Sequence, residues 1–115
     1  MILQIFGTKK CKDTQKAVRF FKERNIVFQF IDLKEKDISP AELNSIKKHY
    51  YLADIIDTYS KTYENLNLEY IQHDVEEMLL EHPLLFITPI LRSDFGAIVG
   101  YDENLWKDWA KQIKG

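Results

Sequence analysis

A chain of 115 residues with 45% hydrophobic content can build one modest core. Its formal charge of -2 gives no global argument for nucleic acid or a membrane surface as partner. A single cysteine excludes an internal disulfide and any metal site built from several thiolates, and it fits a reducing, cytoplasmic setting.

Residues 1–6 read as a buried strand. The apolar run ends at Gly7, too early for a leader peptide. No stretch approaches the roughly 20 apolar residues of a membrane span. Lys12–Arg24 reads as a helix with the stripe Ala17, Val18, Phe20 and Phe21, and Asn25 as its stop. Residues 26–31 are β-branched and aromatic and read as a second strand. Strand, helix, strand in this order predicts a βαβ unit with parallel strands.

Ser39-Pro40-Ala41-Glu42 is a helix start: serine caps, proline suits the first turn, and Glu42 can close a capping box. The helix over 40–48 turns Leu43 and Ile46 inward. A short helix is expected around Leu52–Thr58, with Leu52, Ile55 and Ile56 on one face. Leu66–Glu81 reads as another, with Leu68, Ile71, Val75, Met78 and Leu79 as its stripe, ended by His82-Pro83. Thr88–Leu91 starts a strand, Ser93–Gly96 turns it, and Ala97–Val99 returns antiparallel before Gly100 leaves the sheet. Glu103–Ile113 is the last helix, anchored by Leu105, Trp106, Trp109 and Ile113. The layout is α/β: a four-stranded mixed sheet with flanking helices, thioredoxin-like, in one domain over residues 1–115 with a helical insert at about 39–82.

Cys11 falls where the first strand passes into the first helix. A helix N-terminus favours thiolate, and Lys9, Lys10 and Lys12 add positive charge, while Asp13 opposes it. Thr14, three residues on, can approach the sulfur. The alternative is a buried core cysteine, although Lys-Lys-Cys-Lys-Asp-Thr is a polar setting for one. Pro89 cannot donate to a sheet ladder and belongs at a strand start or edge. Most X–Pro bonds are trans. A cis bond at Thr88–Pro89 would set the Thr88 backbone beside the helix N-terminus, able to pair with an extended thiol peptide such as glutathione.

Gln4-Ile5-Phe6-Gly7, Cys11-Lys12-Asp13-Thr14-Gln15-Lys16-Ala17, Ile31-Asp32-Leu33, Ser60-Lys61-Thr62-Tyr63, Pro83-Leu84-Leu85, Thr88-Pro89-Ile90 and Val99-Gly100-Tyr101-Asp102-Glu103 with Trp106 follow in an order and spacing that is specific. In them the chain resembles the arsenate reductase (ArsC) family of glutaredoxin-like proteins, which includes the Spx-like transcription regulators. The resemblance implies that Cys11 is a nucleophile able to form an adduct with arsenate, that Thr14 is the small hydroxyl residue beside it, and that Pro89 is a cis proline. Family arsenate reductases place a histidine and two arginines where this chain has Gly7, Tyr59 and Thr88. Arg92, Lys9, Lys10 and Lys12 remain as anion- or thiol-substrate-binding candidates with Thr88 and Pro89, but lysine lacks the forked geometry of arginine. Efficient arsenate reduction is therefore not expected.

What remains is a thiol oxidoreductase that uses Cys11 through a mixed disulfide with glutathione, another low-molecular-weight thiol or a glutaredoxin- or thioredoxin-type protein. The Spx-like branch gives the alternative, a regulator that binds the RNA polymerase alpha subunit; many of that branch carry a second cysteine where this chain has Thr14. A non-catalytic adaptor on the same fold is a third reading. No bound cofactor, direct nucleic-acid contact or membrane partner is expected. His49, His73 and His82 lack metal-site spacing. Gly7 reads as one glycine in a loop. Tyr50, Tyr51, Tyr59, Tyr63 and Tyr70 make the insert aromatic, some for packing and some for a contact surface.

Overall fold

The computed structural model describes residues 3–66 and 74–114. Strand β1 (Leu3–Gly7) leads into helix α1 (Lys12–Glu23). The helix closes at Asn25, which stands at φ 56. The Asn25 N–H donates to the Lys22 carbonyl at 3.0 Å and the Ile26 N–H to the Phe21 carbonyl at 3.0 Å. This left-handed reversal satisfies the last carbonyls of the helix. It also delays the second strand: β2 runs Phe28–Asp32, not from residue 26, because Ile26 belongs to the helix closure and Val27 is 91% exposed.

Helix α2 (Pro40–Lys47) carries the full capping box, with Ser39 Oγ accepting from the Glu42 N–H and Glu42 Oε1 from the Ser39 N–H. The expected helix over 52–58 is a single 3-10 turn at Leu52–Asp54. Beyond it, backbone pairing with the segment before the third strand takes over. Ile56 bridges Phe86, the Ile87 N–H donates to Ile55 O at 2.9 Å, and the Asp57 N–H to Leu85 O at 2.7 Å. Helix α3 (Lys61–Asn65) is capped by Ser60, whose Oγ accepts from the Tyr63 N–H. Leu66 therefore closes α3 and does not open the long helix expected over 66–81. Of that helix, α4 (Val75–Glu81) is seen, started by Asp74; Leu68 and Ile71 lie outside the described residues. A 3-10 turn follows at Pro83–Leu85.

Strands β3 (Ile90–Ser93) and β4 (Gly96–Val99) form a hairpin that turns through Gly96 at φ 126. The third strand starts two residues later than the sequence suggests, since Pro89 precedes the ladder it cannot join. The Thr88–Pro89 bond is cis. Helix α5 (Glu103–Lys114) buries Trp106, Trp109 and Ala110, while Leu105 is 38% exposed and is not an anchor.

The sheet order is β2-β1-β3-β4, with β1 parallel to β2 and the other pairs antiparallel. Strand alternation divides the core. Leu3, Ile5, Leu91 and Ile98 join Ala17, Phe20 and Phe21 of α1 and Trp106 and Trp109 of α5. Phe6, Ile31 and Ile90 join Leu43, Ile46, Ile55, Leu79 and Leu85 of the insert. The result is a thioredoxin-like α/β fold, with α1 and α5 on one face and the helical insert on the other.

Candidate thiol site

Position 11 is the N-cap of α1. The turn that delivers it is pinned by its own backbone: the Cys11 N–H donates to Thr8 O at 3.2 Å, the Gln15 N–H to Cys11 O at 3.0 Å, and Gln15 Nε2 to Lys9 O at 2.6 Å. Cys11 is half-buried and free. It is neither a sealed core residue nor a fully solvated one.

The cis Thr88–Pro89 segment faces it. Thr88 Oγ1 donates to Cys11 Sγ at 3.1 Å, and the thiol lies 3.8 Å from the Thr88 carbonyl oxygen. Thr14, in the first turn of α1, is 1% exposed, and its Oγ1 has no hydrogen-bond partner among the described residues. The Cys11 side chain likewise closes no cap bond with the first-turn amides. These groups bear on the charged form. Partial burial pushes the thiol up; hydrogen bonding by the Thr14 and Thr88 hydroxyls and by the Thr14 and Asp13 amides pushes it down and prevails. Cys11 therefore titrates below its ordinary value.

The lysines contribute nothing to this shift. Lys9, Lys10 and Lys12 are exposed, and no lysine charge figures among the causes of the Cys11 shift. Asp13 does not oppose it: its amide helps the thiolate, and its carboxylate lies 3.9 Å from Lys16 Nζ. Arg92 is not brought to the sulfur. It stands opposite Gln4 on the insert face, hydrogen-bonded to Gln4 Oε1 and, at 2.7 Å, to Ser45 Oγ, with Glu42 Oε2 at 3.6 Å. Cys11, Thr14 and Thr88 thus converge, with Pro89 following Thr88 through the cis bond, while Arg92 is engaged on the insert face.

Gly7 is the residue whose place the sequence concealed. It ends β1 and does not lie in a loop. A Cβ built there would collide with the Thr14 side chain. The available signal was alternation: Leu3, Ile5 and residue 7 share the strand face toward α1. Among the described residues no His, Cys, Asp and Glu group could hold a metal ion, and no helix is long and apolar enough to cross a membrane.

A thioredoxin-like sheet with one half-buried thiol at the first helix start and a cis proline facing it defines a glutaredoxin-like class of protein. The ArsC family model matches residues 6–109, and the chain belongs to that family. It is 30% identical over 109 residues to the global transcriptional regulator Spx 2 of Oceanobacillus iheyensis, covering 90% of this chain and 80% of that protein. The Bacillus cereus protein of the same name is 26% identical over 105 residues, covering 87% and 80%. Among solved structures, a putative ArsC family related protein from Bacteroides fragilis superposes with a TM-score of 0.79 at 19% identity, over 94% of this chain and 98% of that one.

Proposed function

We propose that the protein is a regulatory member of its family, of the Spx kind, which works by docking on a protein partner, the RNA polymerase alpha subunit. The observation that carries this reading is the 30% identity to a Spx 2 regulator over 90% of the chain. The site's cation-poor makeup supports it. Gly7, Tyr59 and Thr88 occupy the positions where oxyanion-reducing relatives are expected to carry a histidine and two arginines, and Arg92 is engaged by Gln4, Ser45 and Glu42. Arsenate turnover should be weak or absent. Tyr51 and Tyr59, 82% and 98% exposed in the insert, supply the aromatic surface that protein contacts favour. The test is capture of purified alpha subunit by wild type and by Cys11→Ser. Capture by both is expected; capture by neither overturns the regulatory reading.

The Cys11 geometry favours a second reading, monothiol exchange. Sγ as thiolate attacks a disulfide of glutathione, another small thiol or a glutaredoxin- or thioredoxin-type protein. The new S–S bond forms as the old one breaks, and the departing thiolate takes a proton from water. With no second cysteine in the sequence, a thiol from solution or from the partner must resolve the adduct. Trapping of mixed disulfides on Cys11 tests it. A wild-type protein that forms none under oxidising conditions contradicts it.

A further inference from the structure

Cys11 is the N-cap and Thr14 the third residue of α1, the two positions whose side chains meet across a first helical turn. Thr14 is 1% exposed with an unpartnered Oγ1, a costly arrangement for a buried hydroxyl unless a partner is intended. On the far side of that side chain is Gly7. The three atoms nearest a Cβ built at Gly7 are Oγ1, Cγ2 and Cβ of Thr14, the last at 3.0 Å. Gly7 is not among the residues with positive φ, so its backbone does not need glycine. The space does. Nor is its backbone loose: Leu33 N–H donates to the Gly7 carbonyl at 2.9 Å, and Gly7 is paired in register with Asp32.

We propose that Gly7 is a positioning residue: by lacking a side chain it leaves the seat that holds the buried Thr14 hydroxyl against Cys11 as a donor with no competing partner. The proposal rests on the reading of Cys11 as a reactive thiol. Its logic is preorganisation. A hydroxyl bonded elsewhere would have to break that bond as the sulfur ionises; this one turns its proton to the sulfur and loses nothing. The charged residues next to Cys11 in the chain are Lys9, Lys10, Lys12 and Asp13, and the Thr88–Pro89 segment facing it carries none.

The test follows alkylation of Cys11 by iodoacetamide against pH, with thermal unfolding alongside, in the full chain and in Gly7→Ala, Thr14→Ala, Thr14→Ser and the Gly7→Ala/Thr14→Ala double variant. Gly7→Ala should raise the alkylation midpoint, slow the neutral-pH reaction several-fold and lower the melting temperature. Thr14→Ala should raise the midpoint as well, and Thr14→Ser, which keeps the hydroxyl, should restore it. The double variant should regain much of the melting temperature, because the two closest atoms, Oγ1 and Cγ2 of Thr14, are gone, but not the midpoint. A folded Gly7→Ala with the wild-type midpoint overturns the proposal, and so does a double variant that recovers midpoint and stability together. If Gly7→Ala does not fold, a wild-type midpoint in Thr14→Ala still overturns it. A wild-type protein with an ordinary thiol midpoint overturns the reactive-thiol reading itself.

Discussion

At the sulfur of Cys11, burial and hydrogen bonding pull in opposite directions, and the donors win. Thr88 Oγ1 donates to the sulfur at 3.1 Å. Thr88→Val keeps the shape and removes the donor, so the Cys11 midpoint should rise and neutral-pH alkylation should slow; an unchanged pH profile contradicts the assignment. The same shift links to stability. A thiol that ionises more readily in the folded chain leaves the unfolded chain holding more protons between the lowered and the ordinary value. Stability therefore rises with pH across that window and is lost as pH falls through the folded value. Denaturant titrations of wild type and Cys11→Ser should diverge toward the alkaline end of the window in favour of wild type. A pH-independent gap between them speaks against it. Sequence made Cys11, Thr14 and the Thr88–Pro89 pair visible because each is a marked residue type at a marked place. It credited the lysines with lowering the thiol, but the groups that lower it are hydroxyls and amides, since charge can be read from a sequence whereas the direction of a flexible, solvated side chain cannot. Arg92 escaped for a related reason: its partners Gln4, Ser45 and Glu42 are set by strand register and by the docking of α2.

Among the elements, those with self-contained signals are legible in the sequence. The Ser39–Glu42 box and the Asn25 reversal state their own boundaries in residues that interact locally. Ser39→Ala removes the cap of α2 and should cost about 1 kcal/mol, measurable by chemical denaturation; no loss means that α2 is held by Leu43 and Ile46 alone. Where long-range pairing decides, periodicity misleads. Residues 55–57 have helical spacing of Leu52, Ile55 and Ile56, yet the chain there pairs with 85–87. The boundary near Leu66 failed because Leu66 closes the Ser60-capped α3, and the part of the expected stripe in the described residues, Val75, Met78 and Leu79, sits on a helix with its own cap at Asp74.

Over the whole molecule, the sheet separates two packed clusters, and the thiol belongs to the α1 face. Leu79, fully buried, anchors α4 in the opposite cluster. Leu79→Ala should cost about 2–5 kcal/mol by chemical denaturation, while the Cys11 alkylation midpoint stays in place because the donors to the sulfur lie elsewhere. A midpoint that moves with Leu79 would mean that the insert tunes the site. The insert carries exposed Tyr51 and Tyr59. The thiol chemistry turns on a sulfur that ionises readily because hydroxyls and amides lower the cost of its charge. Direct titration by ultraviolet thiolate absorbance, with Cys11→Ser as the blank, measures that property alone. A midpoint below that of an unperturbed cysteine is the expected result, and a midpoint at or above it would contradict it.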